Sequence, residues 1–131
     1  MKKIKRKLVV ISYCLVTNFC FSQNELDRIS VNKNDFVTKN DSTIIFRGLN
    51  SSDPDKLEKQ GHWNKAYFTE IKKWGANIVR FPVHPTAWEK RGKKEYLKLI
   101  DDGIKWATEL NIYVIIDWHS IGNLQTEMYQ H

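Results

Sequence analysis

The chain has 131 residues and a formal charge of +6, from 21 Lys and Arg against 15 Asp and Glu. With 41% apolar and 27% charged residues it has neither a disordered nor a collagen-like composition, and its length allows one ordinary domain.

The charge is concentrated at the start. Lys2, Lys3, Lys5, Arg6 and Lys7 precede the apolar stretch Leu8 to Phe21, the pattern of a secretory signal. That stretch is shorter than the roughly 20 apolar residues of a spanning helix and is interrupted by Ser12, Thr17 and Asn18. Cleavage after Ser22 makes Gln23 the expected mature N-terminus, with a signal peptide at 1–22, a polar lead-in at 23–35 and the folded domain part at 36–131. The mature chain then has sixteen basic and 15 acidic residues, so nothing points to nucleic acid, and no stable membrane insertion is expected after cleavage. Cys14 and Cys20 read as apolar signal residues, a lipid-anchored Cys20 being disfavoured by Asn18 and Phe19 before it. The mature chain is left with no thiol for a disulfide or metal site.

Phe36-Val37 and Thr43-Ile44-Ile45-Phe46 read as a β-hairpin around the polar turn Lys39 to Ser42, and the second segment leads into Arg47-Gly48-Leu49-Asn50. Ser51 to Gly61 reads as a polar loop with a turn at Asp53-Pro54-Asp55. Tyr67, Phe68, Ile71 and Trp74 fall at helical spacing between an Asn64 N-cap and a Gly75 stop. A strand at Ala76 to Phe81 is expected to end at Pro82, followed by a loop holding Pro85, Trp88 and Gly92.

A second helix fits Glu95 to Leu110, with the stripe Leu97, Ile100, Ile104, Ala107 and Leu110; Gly103 costs it roughly 1 kcal/mol of propensity. Ile112 to Ile116 reads as a strand buried on both faces, ending at Asp117-Trp118-His119. Strands alternating with helices predict an α/β fold with parallel strands. Asn50, Arg80, His84, Asp117, Trp118 and His119 all fall at or just past strand C-termini, the edge where such folds bind ligands.

Three segments carry a family resemblance: the hairpin leading into Phe46-Arg47-Gly48-Leu49-Asn50, the run Trp74 to Val83, and Tyr113 to His119. Over about residues 29 to 119 the chain resembles the start of glycoside hydrolase family 5, the cellulase-like (β/α)8 barrels. Asn111 stands where glycine commonly precedes the third strand, a position at which Asn also takes positive φ. The resemblance implies a partial (β/α)8 TIM barrel of three strands and two helices behind an N-terminal hairpin. It also implies retaining hydrolysis of β-linked polysaccharide by two glutamates roughly 5 to 5.5 Å apart.

Both glutamates, an acid/base after the fourth strand and a nucleophile after the seventh, are expected beyond His131, so no catalytic carboxylate is present. A closed barrel needs about 250 residues. The chain therefore reads as an N-terminal fragment, inactive alone, of a secreted, periplasmic or cell-surface enzyme that needs no cofactor or metal.

By the same resemblance Arg80 supports the nucleophile, because a nearby cation keeps a carboxylate ionised, and His119 donates a hydrogen bond to the sugar. Asn50, His84, Trp88 and Trp118 are candidate substrate contacts, and Asp117 an orienting group. Asp53, Asp55 and Glu127 are expected to be solvated. Trp74 and Trp106 are expected to pack on helices, with Trp63 left open between core and site. Two other functions compete: a metal-dependent barrel hydrolase using His84 and His119, disfavoured because zinc wants three protein ligands, and a non-catalytic glycan-binding piece.

Overall fold

The computed structural model describes residues 26–120; the signal segment, Cys14, Cys20 and Glu127 lie outside them. The chain opens with the antiparallel hairpin β1 (Ser30–Asn32) and β2 (Asp35–Val37), turned at Lys33, which takes φ 54. This differs from the predicted hairpin. Residues 43–46 contribute the bridge Val37↔Thr43 and a 2.8 Å bond from Ile44 N–H to the Phe36 carbonyl, beyond the turn closed by Thr38 N–H on the Ser42 carbonyl, and form no strand of their own. Phe46 instead packs edge-on between Phe36 and Tyr113, 5.4 Å from each.

Three parallel strands form the main sheet in the order β3 (Gly48–Asn50), β4 (Ile78–Val83), β5 (Tyr113–Trp118). Gly48 is forced by contact, since a Cβ there would lie 1.9 Å from the Ile78 carbonyl oxygen. Asn77 sets the register ahead of the strands: its Oδ1 accepts from Arg47 N–H at 2.7 Å and its Nδ2 donates to the Ile45 carbonyl at 2.9 Å. Val79, Phe81 and Val83 bury themselves against the helices, so the residues between them face the opposite side.

Pro82 does not end the strand. The Val83 carbonyl bonds toward β5 and the Arg80 carbonyl toward Ser51, so Pro82 faces the β3 side, where that strand has already stopped and no donor is needed. Nor is β5 buried on both faces. Among the described residues only β4 pairs with it, and Ile115 and Ile116 are 48% and 51% exposed.

Between the strands run four helices, α1 (Pro54–Lys59), α2 (Lys65–Lys73), α3 (Pro85–Arg91) and α4 (Lys93–Glu109). α2 follows its predicted caps, with Asn64 accepting from Tyr67 N–H and Gly75 at φ 84. Asn111 takes φ 54 before β5, as expected of a glycine substitute. The predicted loops hold α1 and α3, each begun by a proline in the first turn, where its missing N–H costs nothing.

In α4 the buried stripe is Tyr96, Leu99, Ile100, Gly103 and Ala107, whereas the predicted Leu97 is 40% exposed. Trp63 and Phe81 explain Gly103, because a Cβ would meet their rings at 2.4 and 3.0 Å. Trp63 is a core residue: its Nε1 donates to the Leu99 carbonyl, and its ring packs edge-on against Phe68, Phe81 and Trp106. Trp74 is not, being 74% exposed at the end of α2.

Candidate active site

Strand register assembles the polar edge. Asn50 pairs with Arg80, and Asp117 lies two residues beyond Ile115, the β5 partner of Arg80, on the same face of the sheet. The Arg80 side chain runs along that face. One terminal nitrogen donates to Asp117 Oδ2 and lies 3.1 Å from His119 Nδ1, while the other donates to Asn50 Oδ1 at 3.4 Å. His119 Nδ1 is in turn 2.9 Å from Asp117 Oδ2, and its backbone N–H extends the sheet by bonding the Val83 carbonyl.

The remaining candidates gather around this cluster. The His84 ring meets His119 edge to face at 5.2 Å, and Trp88 meets Trp118 at 5.7 Å while also lying against Tyr96. Asn50, Arg80, His84, Asp117 and His119 therefore share one edge, with Trp88 and Trp118 as an adjoining aromatic pair. Among the described residues no group of three or more His, Cys, Asp and Glu side chains is placed to hold a metal ion.

Asp53 and Asp55 correct the expectation of solvated loop carboxylates; both are buried. Asp53 caps α1 by accepting from Asp55 N–H at 2.7 Å, and its second oxygen accepts from His84 N–H and the Tyr96 hydroxyl, each at 2.8 Å. Burial, followed by the bond to Asp53, pushes the Tyr96 hydroxyl far above its ordinary value of 10.0. Asp55 is clamped by Lys59 at 2.7 Å and by Arg91 Nε at 2.6 Å. Burial acts to raise its carboxyl, but the hydrogen bonds and charges of those two cations prevail and hold it below the usual value of 3.8. An open cavity of about 670 Å³ is bounded by Asp53, Lys56, Lys59, His84, Thr86 and Lys90 among others, and of the polar-edge candidates it takes in His84. An Asp followed directly by a proline is the sequence signal for the capping role of Asp53.

Three consecutive parallel strands, joined by helices and each followed by polar groups at its C-terminal end, form part of an α/β fold of the (β/α)8-barrel kind, and comparison with known proteins gives the family. The model of cellulase, glycosyl hydrolase family 5, matches residues 37–131, and the chain belongs to that family. A β-glucanase from Saccharophagus degradans, SdGluc5_26A, superposes with a TM-score of 0.74 at 46% identity, covering 80% of this chain and 32% of its own. The same protein solved with cellotetraose gives a TM-score of 0.73 at 46% identity over 80% of this chain and 32% of that one. Endoglucanase A of Butyrivibrio fibrisolvens is 29% identical over 63 residues, 44% of this chain and 15% of the relative. Glucan 1,3-beta-glucosidase 2 of Candida albicans is 33% identical over 75 residues, 49% of this chain and 15% of that protein. The chain thus spans about a third of the solved β-glucanase and a smaller share of the sequence relatives.

Proposed function

We propose that this chain is the N-terminal part of a secreted, retaining β-glucanase, and that its polar edge forms one wall of the glycan cleft. The observation that carries the reading is the convergence of Asn50, Arg80, Asp117 and His119 from the ends of three consecutive parallel strands. The ligand-binding edge of such barrels lies there. Support for a β-glucan substrate comes from the relatives, one of which was solved with cellotetraose.

In this reading two glutamates from later strands do the covalent chemistry: one attacks the anomeric carbon, and the other protonates the leaving oxygen and then activates water. Arg80 stands beside the nucleophile and keeps it ionised, since a carboxylate beside a guanidinium resists protonation. His119 holds a sugar hydroxyl near the cleavage point, Asp117 orients Arg80 and His119, and Asn50, His84, Trp88 and Trp118 line the adjoining subsites. The 131 residues alone, without the glutamate pair, do not turn over.

The test is hydrolysis of a soluble β-glucan by the complete catalytic domain carrying this segment, with the product anomer followed by proton NMR. Release of the β-anomer first supports the proposal; release of the α-anomer first, or turnover by residues 23–131 alone, contradicts it. Secretion is checked by mass spectrometry of the exported protein, which is expected to begin at Gln23.

A further inference from the structure

We infer that Asp117 is a positioning residue that holds His119 as the Nδ1–H tautomer, so that Nε2 offers the glycan cleft a lone pair rather than a proton. What Nε2 faces rests on the proposed function; the tautomer stands on geometry.

A neutral imidazole carries one N–H, and His119 Nδ1 has two neighbours that make opposite demands on it. Asp117 Oδ2, an acceptor, lies 2.9 Å away, and an Arg80 terminal nitrogen, which can only donate, lies 3.1 Å away. Both cannot be satisfied by the same ring nitrogen.

The Arg80 nitrogen already donates to Asp117 Oδ2. Its two hydrogens diverge by about 120° in the planar guanidinium. Viewed from that nitrogen, Asp117 Oδ2 and His119 Nδ1 are separated by far less, since they are 2.9 Å apart. A hydrogen aimed at the carboxylate leaves its twin pointing away from the imidazole. The carboxylate oxygen, with two lone pairs, accommodates Arg80 and an Nδ1–H together, and both bonds are charge-assisted. The opposite tautomer would set an imidazole lone pair against a carboxylate oxygen at 2.9 Å with no proton between them.

His84 adds a steric wall, meeting the His119 ring at 88° and limiting its rotation. Nε2 belongs to a side chain 39% exposed at the same edge. It therefore accepts from a sugar hydroxyl, which reverses the donor role expected from the sequence.

Long-range proton–nitrogen correlation on the ¹⁵N-labelled chain, at about pH 8.5 where free imidazole is neutral, reads the tautomer directly. The expected spectrum shows a protonated, pyrrole-type Nδ1 and a bare, pyridine-type Nε2 for His119. Asp117→Ala should reverse the pattern, because with the acceptor gone Nδ1 faces only the Arg80 nitrogen 3.1 Å away, which can donate and cannot accept. A wild-type spectrum with Nε2 protonated overturns the inference whatever the activity, and needs no variant to fold. Nδ1–H in a domain that cleaves no glycan upholds the tautomer and defeats the functional reading instead.

Discussion

The backbone N–H of His84 donates to Oδ2 of Asp53 at 2.8 Å, tying the end of β4 to the cap of α1. The Tyr96 hydroxyl meets the same oxygen, so one buried carboxylate joins α1, the start of α3 and the first turn of α4 behind the polar edge. Asp53→Ala strands those donors and removes an N-cap. It should destabilise the fold by about 3 kcal/mol, and Tyr96→Phe by about 1 kcal/mol. Urea denaturation midpoints check both; a loss typical of an exposed site would contradict the buried hub.

Gly103 gives a test by sign. On helix propensity alone Gly103→Ala would stabilise α4 by about 1 kcal/mol. The Trp63 ring, 2.4 Å from the new methyl, should instead make the substitution destabilising by about 1–3 kcal/mol.

Titration of two buried groups sets opposite pH limits. Asp55 titrates below its ordinary 3.8, so its contribution to stability is full above that value and is lost as pH falls through the folded value. Asp55→Asn should flatten the acid limb of a stability–pH curve below about pH 4. Tyr96 is shifted upward from 10.0, so its contribution is full below that pH and declines as the solution becomes more alkaline. Tyr96→Phe should remove the decline above about pH 10, measured by the same midpoints.

Trp118 is 48% exposed beside Trp88 at the polar edge. If the pair stacks on sugar, Trp118→Ala in the complete domain should raise KM for β-glucan about five- to tenfold with a smaller change in kcat, on the scale of an aromatic contact. An unchanged KM would remove Trp118 from the subsite.

The strands and long helices were legible because apolar spacing alone dictates them: Val79, Phe81 and Val83 alternate, and Ile100 and Ala107 sit two turns apart. Strand ends fixed the site cluster, since parallel register carries Asn50, Arg80 and Asp117 to one edge. β1 left no pattern because Ser30, Val31 and Asn32 are all exposed. α1 and α3 have six and seven residues, too short for a period, and Asp53-Pro54 signals a turn as readily as a helix start. The burial of Asp53 depends on Tyr96, 43 residues away, which no local window reports.

The most direct test of the glycan-cleft account is kcat of the Arg80→Ala variant of the complete domain on β-glucan. An electrostatic support beside the nucleophile predicts a fall of about 10²-fold or more in kcat with KM changed little and the fold intact by circular dichroism. Wild-type turnover by that variant would contradict it.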